Sequence, residues 1–207
     1  MTKPTRRQLL ELCAEKGMLL GTLASLPFAL VGGPLDDPQK TTPENEMGPF
    51  YKKGAPASSV LRPAGAPGFG LEVKGRVHNT HGDLVEGVEI EIWQADHDGH
   101  YDLKGHNYRA RLVLPRTAEY DFQSVMPGHY PDRVAQHIHY LVRAPGHKPL
   151  VTQLYFGTDP VFLGDPVKNF AKDPLVRNAD LIRPVAILDE NKVARAQVQF
   201  DIVLERA

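Results

Sequence analysis

The last stretch of the chain carries a strict two-residue alternation, and this pattern limits the fold more than any other feature. Apolar side chains occupy every second position (Ala196, Val198, Phe200, Ile202 and Leu204), and polar ones lie between them (Gln197, Gln199 and Asp201). Successive side chains of a β-strand point to opposite faces, so the alternation predicts a strand with one buried face. The segment therefore favours a sheet that packs on a core.

Further short segments show strand signals and are separated by turn signals. The chain contains 18 Gly and 18 Pro, which implies many turns and few long helices. Only residues 166–180 suggest a short helix. Strands are predicted at residues 71–77, 88–93, 120–125, 137–143, 151–156 and 183–188. We therefore expect an all-β fold, a mixed or antiparallel β-sandwich with few short helices.

The chain divides into three predicted regions. Residues 71–207 form the β-sandwich domain, and residues 34–70, rich in Pro and Gly, form an extended arm. In residues 1–33, Arg6 and Arg7 precede a largely apolar stretch that is too short and broken for a stable membrane span. This region is either a twin-arginine export signal or an N-terminal amphipathic helix. The first alternative places the protein in the periplasm and the second in the cytoplasm.

Composition excludes several classes of function. The chain carries 24 Lys and Arg against 25 Asp and Glu, and no basic stripe indicates a nucleic-acid surface. A single cysteine, Cys13, rules out an internal disulfide framework and a multi-cysteine zinc site. Nine histidines and seven tyrosines leave nitrogen and oxygen ligands as the available metal chemistry.

The most specific chemical feature is the pair His137 and His139 on a predicted strand. Residues two apart share one strand face, so both imidazoles can chelate one metal ion while Ile138 points to the core. The alternative is a pair of surface or hydrogen-bonded histidines on an amphipathic strand. The surrounding sequence decides between them.

Several separated motifs accompany the histidine pair in a fixed order. They are Glu46-Met47-Gly48-Pro49-Phe50-Tyr51, Glu91-Ile92-Trp93-Gln94-Ala95-Asp96, Gly99-His100-Tyr101, Pro127-Gly128-His129-Tyr130-Pro131 and Thr152-Gln153-Leu154-Tyr155-Phe156. Together with the histidine pair, they resemble the intradiol ring-cleaving dioxygenases, most closely the protocatechuate 3,4-dioxygenase type. The resemblance runs from about residue 46 to about residue 160.

The resemblance implies a sandwich with a transthyretin-like core and a non-haem Fe(III) ion held by Tyr101, Tyr130, His137 and His139. In this family, the tyrosine matched by Tyr130 leaves the metal when substrate binds. The implied reaction cleaves a protocatechuate-like catechol with O2 between its two hydroxyl-bearing carbons and gives a cis,cis-muconate type diacid. The implied partners are the catechol and O2, without nucleic acid, and the family often forms homo-oligomers.

The residue types suit this chemistry. A free phenol has a pKa of about 10 and is neutral at pH 7, but an adjacent trivalent cation favours the phenolate. Two phenolates stabilise Fe(III) over Fe(II), and two neutral imidazoles complete the ligand set. Taken singly, Tyr101 has an alternative interpretation as an ordinary aromatic residue at a strand end, and Tyr130 as a turn tyrosine.

An arginine near the histidine pair departs from the family spacing. Members of the family have an arginine three residues before the first histidine, where it stabilises negative charge on the activated substrate. Here that position is Val134, and Arg133 lies four residues before His137. Either a one-residue bulge redirects Arg133 to the site or the side chain is a surface charge.

Three further residues match positions around the substrate. Gln153 matches a family glutamine near the substrate, and its alternative is a strand glutamine bonded to backbone. Tyr51 matches a pocket-lining tyrosine or packs the arm, and Tyr108 is expected on the rim of the pocket. Only 29 positions separate Tyr101 from Tyr130, and 7 separate Tyr130 from His137. These short loops predict an open pocket and leave the substrate undetermined.

Two other functions remain open. One is a 2-His-1-carboxylate Fe(II) oxygenase that uses His137, His139 and an acid such as Asp132. The other is a transthyretin-like β-sandwich binding module without catalysis.

Overall fold

The computed structural model describes residues 38–131, 133–190 and 193–207. The export-signal and N-terminal-helix predictions for residues 1–33, and Asp132 as a third ligand, lie outside these residues. Within the described ranges, no helix is long and apolar enough to cross a membrane.

In the described part of the chain, ten strands form two five-stranded sheets, as the turn-rich sequence predicts. The strands are β1 (Gly70–Asn79), β2 (Glu89–Gln94), β3 (Arg109–Val113), β4 (Glu119–Val125), β5 (His137–Arg143), β6 (Leu150–Phe156), β7 (Ile182–Arg183), β8 (Ala186–Glu190), β9 (Val193–Gln199) and β10 (Ile202–Leu204). The all-β prediction is confirmed.

The first sheet is built around β1. This strand pairs antiparallel with β4 and parallel with β9 and β10, and β9 continues to β8. The second sheet has the order β3-β2-β5-β6-β7, in which only the β6–β7 pair is parallel. Both sheets are therefore mixed.

The core contains side chains from both sheets, which explains their alternating sequences. From the first sheet come Val73, Phe122 and Val198, and from the second come Ile92, Ile138, Tyr140 and Leu154, all nearly or fully buried. Burial of side chains of this size stabilises the fold by about 1.5–3 kcal/mol each. The two sheets therefore form a sandwich with one apolar core.

The C-terminal alternation is confirmed, but the single predicted strand is interrupted. All five alternate apolar residues are buried (Ala196, Val198, Phe200, Ile202 and Leu204). The break falls at Phe200, whose N–H donates to the Lys74 carbonyl at 2.8 Å, and at Asp201, whose carboxylate accepts from the Arg76 N–H at 2.9 Å. The side-chain acceptor replaces one ladder bond and divides the strand into β9 and β10.

The sequence analysis missed β3, joined part of β7 and β8 in one predicted strand at residues 183–188, and located one helix. The sequences of β3 and β7 show no clear alternation. Their positions are set by pairing with β2 and β6, which no local pattern predicts. The predicted helical region contains α1 (Pro166–Asn169) and a 3-10 turn at Phe170–Lys172. Asp165 caps α1 by accepting from the Lys168 N–H, and Pro166 supplies its first residue.

Residues 38–69, the described part of the segment before β1, run along both sheets, and we call them the arm. Its N–H groups donate to carbonyls such as Val151 in the second sheet (from Asn45, 2.9 Å) and Gln123 in the first (from Leu61, 2.8 Å). Backbone bonds of this kind hold an irregular segment in place without a helix or ladder of its own. The arm reaches the histidines at Glu46, whose carbonyl accepts from the side-chain nitrogen of Gln153, the residue opposite His139, at 2.6 Å.

Gly75 in β1 permits the close approach of Phe200. A Cβ at this position would lie 2.1 Å from the Phe200 carbonyl oxygen and 2.8 Å from the Tyr120 ring. We expect Gly75→Ala to lower the free energy of unfolding by about 3 kcal/mol, because backbone cannot move aside cheaply. Chemical denaturation measures this change.

Gly70→Ala in the same strand is the matched control. Its Cβ would meet only the Arg195 Cβ, at 3.5 Å, an ordinary contact. The expected change is within about 0.5 kcal/mol. Equal effects of the two substitutions would contradict the proposed steric reason.

Candidate metal centre

The register of β5 places His137 and His139 on the same strand face. Cross-strand pairing sets His139 opposite Trp93 of β2 and Gln153 of β6. The Trp93 indole stacks on the His139 imidazole with centroids 4.9 Å apart and an interplanar angle of 5°. Ile138, between the histidines, is fully buried in the core. The prediction that the two histidines share one face of the strand and Ile138 faces the core is confirmed.

Two loops bring the tyrosines to the histidines. Tyr101 lies in the loop after β2, and Tyr130 lies in the loop after β4. The loops touch through two glycines: a Cβ on Gly128 would lie 2.4 Å from the Gly99 nitrogen, and one on Gly99 would lie 2.1 Å from the His129 oxygen. Only residues without a side chain allow this approach, which sets the separation of the two tyrosine-bearing loops.

The four predicted ligand side chains form a closed circuit of rings. Centroid separations are 5.8 Å for Tyr101–Tyr130, 5.7 Å for Tyr130–His137, 4.8 Å for His137–His139 and 6.4 Å for Tyr101–His139. Each ring thus contacts two of the others. Residues distant in sequence converge on one small region, as the motif order predicts.

The polar atoms of this circuit suit a metal ion. The Tyr101 hydroxyl is buried and makes no hydrogen bond within 3.5 Å, although Tyr130 lies close enough to raise its pKa. The His137 Nδ1 lies 2.8 Å from the Ala135 carbonyl, which can only accept, so Nδ1 carries the proton and Nε2 carries the lone pair. The Tyr130 hydroxyl lies 3.3 Å from this Nε2. A buried hydroxyl without a partner is costly, and a metal ion bound there would satisfy it.

Burial controls the protonation of the circuit. It lowers the pKa of His137 to about 3, with a further contribution from the Arg133 charge. Burial and then the His137 and Arg133 charges also lower the pKa of His139. Both imidazoles are therefore neutral at pH 7, the form that binds metals. Burial, together with Tyr130, raises the pKa of Tyr101 above its ordinary value, so ionisation there requires a strong positive charge.

The arm covers the circuit through residues that the sequence analysis did not single out. Phe50 stacks on the Tyr101 ring at 4.2 Å and meets the Tyr130 ring edge-on at 6.1 Å. A Cβ on Gly48 would lie 3.1 Å from the His139 ring. The Gly-Pro-Phe-Tyr motif located this segment, but neighbouring residues in extended chain point in different directions, so sequence could not choose between Phe50 and Tyr51.

The two predicted substrate-binding tyrosines contact residues other than the four rings of the circuit. Tyr51 packs on Trp93 at 5.1 Å and donates to the Glu91 carboxylate at 3.0 Å. Tyr108 is nearly buried with a φ of 58°, and its backbone bonds to the arm and to β2. Neither placement brings the hydroxyl to the four rings.

Arg133 is buried beside the circuit and is not a surface charge. Its N–H donates to the Tyr130 carbonyl at 2.9 Å in an isolated antiparallel bridge, which turns the side chain inward, whereas Val134 is exposed. The guanidinium donates to the Gln153 side-chain oxygen at 3.0 Å and to the Tyr155 hydroxyl at 2.7 Å. The four-residue spacing to the first histidine therefore still brings Arg133 to the site.

Gln153 links this arginine to the arm. Its amide nitrogen donates to the Glu46 carbonyl at 2.6 Å, and its oxygen accepts from Arg133 and from Tyr155. Both ends of the side chain are thus bonded. Asp173, which the sequence analysis did not identify, lies 3.4 Å from the guanidinium. No local signal marks it, because its partner is 40 residues away.

Comparisons with known proteins identify the family of this chain. A family model described as Dioxygenase matches residues 47–206, most of the chain. Among curated proteins, hydroxyquinol 1,2-dioxygenase of Nocardioides simplex is 31% identical over 187 residues, 78% of this chain and 64% of that protein. Chlorocatechol 1,2-dioxygenase of Rhodococcus opacus is 28% identical over 190 residues, 77% of this chain and 70% of that protein. The chain belongs to the intradiol ring-cleavage dioxygenase family.

Solved structures show the same fold. The dioxygenase domain of a dioxygenase–carbohydrate-binding fusion protein from Streptomyces sp. SirexAA-E is 30% identical, with a TM-score of 0.66, over 81% of this chain and 100% of that chain. The 3-chlorocatechol 1,2-dioxygenase of Rhodococcus opacus 1CP has a TM-score of 0.69 at 18% identity, over 82% of this chain and 74% of that one. The chain spans about two thirds of the length of the curated relatives it matches.

The unpartnered Tyr101 hydroxyl leads to a test in the metal-free protein. We expect Tyr101→Phe to raise the free energy of unfolding by about 1 kcal/mol, because it removes a buried group without a hydrogen bond. The same substitution should abolish tight metal binding. Denaturation of the metal-free variant and a metal titration measure the two effects.

Tyr140→Phe is the control for this test. The Tyr140 hydroxyl is also buried without a partner, but it lies in the sandwich core. This variant should gain stability and keep its metal affinity. A loss of stability in metal-free Tyr101→Phe would contradict the description of the site.

Proposed function

We propose that this protein is a non-haem Fe(III) intradiol dioxygenase that cleaves a catechol with O2 between its two hydroxyl-bearing carbons to give a cis,cis-muconate type diacid. The observation that carries the proposal is the closed circuit of two tyrosines and two histidines, in which the Tyr101 hydroxyl lacks a partner. Family membership supports it independently.

The proposed ligands are Tyr101, Tyr130, His137 and His139. When bound, Fe(III) would supply the Lewis acidity and redox chemistry that make a coordinated catechol reactive toward O2. The two neutral imidazoles add no charge, and the two phenolates are hard anionic donors suited to a trivalent cation. The donor set thus fits the proposed metal.

Tyr130 is the proposed proton acceptor. It is partly exposed, lies on a loop, and its hydroxyl is 3.3 Å from the His137 Nε2. As a phenolate, its oxygen accepts one of the two protons that an incoming catechol must lose to bind as a dianion, and the second proton passes to solvent. Tyr101, with its buried oxygen and the Phe50 ring stacked on it, is held more firmly and remains in place.

Arg133 is proposed to act on the bound substrate, and Gln153 is proposed to act through Arg133. The buried guanidinium provides positive charge beside Tyr130 and His137, where negative charge develops on an activated catechol. Gln153 holds that guanidinium and ties it to the arm at Glu46. A preorganised cation of this kind stabilises anionic states without rearrangement.

The ring substituent is the finer part of the proposal. The motifs resemble those of protocatechuate enzymes, whereas the named relatives act on hydroxyquinol and chlorocatechol. The proposed substrate is therefore a protocatechuate-like catechol, with hydroxyquinol and catechol as the competing ligands. The segments from Tyr101 to Tyr130 and from Tyr130 to His137 are short, and their lengths do not distinguish protocatechuate from hydroxyquinol or catechol.

The two other functions make different predictions. Among the described residues, no three His, Cys, Asp or Glu side chains form a group that could hold a metal ion, so a 2-His-1-carboxylate site would depend on Asp132. A binding module without catalysis would not require the four ring residues. Both alternatives predict a protein without tyrosinate-to-Fe(III) colour.

A visible spectrum tests the proposed cofactor and substrate. We expect the iron-loaded protein to be burgundy-red from tyrosinate-to-Fe(III) charge transfer, and we expect the band to shift with protocatechuate. Parallel titrations with catechol and hydroxyquinol identify the ring that binds most tightly. A colourless protein whose activity depends on Fe(II) would overturn the proposal.

Replacement of Tyr130 tests the proposed proton acceptor. We expect Tyr130→Phe to lower catechol turnover roughly 100- to 10,000-fold, the usual contribution of a positioned acid or base. Oxygen uptake and product absorbance measure turnover. Tyr140→Phe, in the core, is the matched control and should retain activity, and unchanged turnover in Tyr130→Phe would reject the assigned role.

A further inference from the structure

The loop of residues 131–136 connects two of the proposed ligands, Tyr130 and His137. It is short, and its described residues belong to no strand of the two sheets. Two aspartates from the segment after β6, Asp159 and Asp173, contact this loop, and both are almost completely buried. We call these two residues the aspartate brace.

Asp159 holds the loop at both ends. One carboxylate oxygen accepts from the Gln136 N–H at 2.7 Å and lies 3.0 Å from the His129 Nε2. The other oxygen accepts from the Val161 N–H at 2.9 Å and caps the 3-10 turn at Pro160–Phe162. The residue before Tyr130 and the residue before His137 therefore share one buried carboxylate.

Asp173 holds the middle of the loop. One of its oxygens accepts from the Ala135 N–H at 3.1 Å and lies 3.4 Å from the Arg133 Nε, and the other accepts from the Leu175 N–H at 2.9 Å. The Ala135 carbonyl then accepts from the His137 Nδ1 at 2.8 Å. A continuous chain of contacts leads from the Asp173 carboxylate to the His137 imidazole.

Core packing alone does not account for these two carboxylates. Burying a charged carboxylate costs several kcal/mol unless hydrogen bonds or an opposite charge offset it. Here most of the offsetting donors belong to the loop or its flanks: His129, Arg133, Ala135 and Gln136. The brace therefore fixes the backbone immediately before His137.

We propose that Asp159 and Asp173 are positioning residues that set the separation of Tyr130 from His137, so that both reach one metal ion. This inference rests on the proposed function for the identity of the ligands. The brace itself exists without the metal, and a metal-free measurement can test it. Replacing a residue that orients a metal ligand through hydrogen bonds typically lowers metal affinity 10- to 100-fold.

The first measurement is amide hydrogen exchange in the metal-free protein. We expect Asp173→Ala to accelerate exchange at Ala135, and Asp159→Ala to accelerate it at Gln136, by at least tenfold, with the β5 amides of Ile138 and Tyr140 unchanged. Asp165→Ala is the matched control, because Asp165 lies in the same segment but caps α1 at the surface. It should change neither loop amide.

The second measurement is Fe(III) affinity by competition with citrate, together with the charge-transfer band. Both Ala variants should bind roughly 10- to 100-fold more weakly and show a shifted band, whereas the Asp165→Ala variant should match the parent. If an Ala variant does not fold, the Asn variant, which keeps one acceptor oxygen, replaces it. Faster exchange with unchanged affinity and an unchanged band would overturn the positioning role.

The two proposals fail in different ways. A parent protein that binds Fe(III) without the charge-transfer band overturns the proposed ligand set and, with it, the purpose assigned to the brace. A parent with the band, combined with Ala variants whose loop amides remain protected, overturns the brace alone. Accelerated exchange, weaker affinity and a shifted band together support it.

Discussion

The antiparallel register of β5 between β2 and β6 is the constraint on which the site depends. A slip of one residue would turn His137 and His139 into the core and bring Ile138 to the ligand side. Ile138 and Tyr140 are completely buried, and exposing such side chains costs about 1.5–3 kcal/mol each. Burial of the apolar face of β5 therefore also fixes the register of the face that carries His137 and His139. The same burial stabilises the fold and sets the geometry of the site.

The rest of the site is assembled on this strand from loops and the arm. Trp93 stacks on His139 from the neighbouring strand, and Phe50 stacks on Tyr101 from the arm. The glycine contact between residues 99 and 128 keeps the two tyrosine-bearing loops together. Because each ring packs against a part of the chain that is fixed independently, the four rings are positioned before any metal binds.

Charge in the site is arranged for anions. Arg133 is buried beside the ring circuit, and Arg109 is buried with its guanidinium 6.0 Å from the Tyr101 ring centre and donating to the Phe50 carbonyl. Both histidines are neutral because burial lowers their pKa values. The two arginine charges lower the pKa of Tyr101 and so partly offset the burial that raises it.

The sequence by itself determined the sandwich and the four ring residues. The two-residue alternation in β5 and near the C-terminus reports which face joins the apolar core, and that periodicity is a local property of a strand. The order of the motifs identified the family and placed Tyr101, Tyr130, His137 and His139 together. Only the tertiary structure decided that Phe50 rather than Tyr51 covers the tyrosines, that Arg133 turns inward despite its spacing, and that Asp159 and Asp173 hold the loop. These choices depend on contacts between segments distant in the chain, such as the 40 residues between Arg133 and Asp173, and no local pattern encodes such a contact.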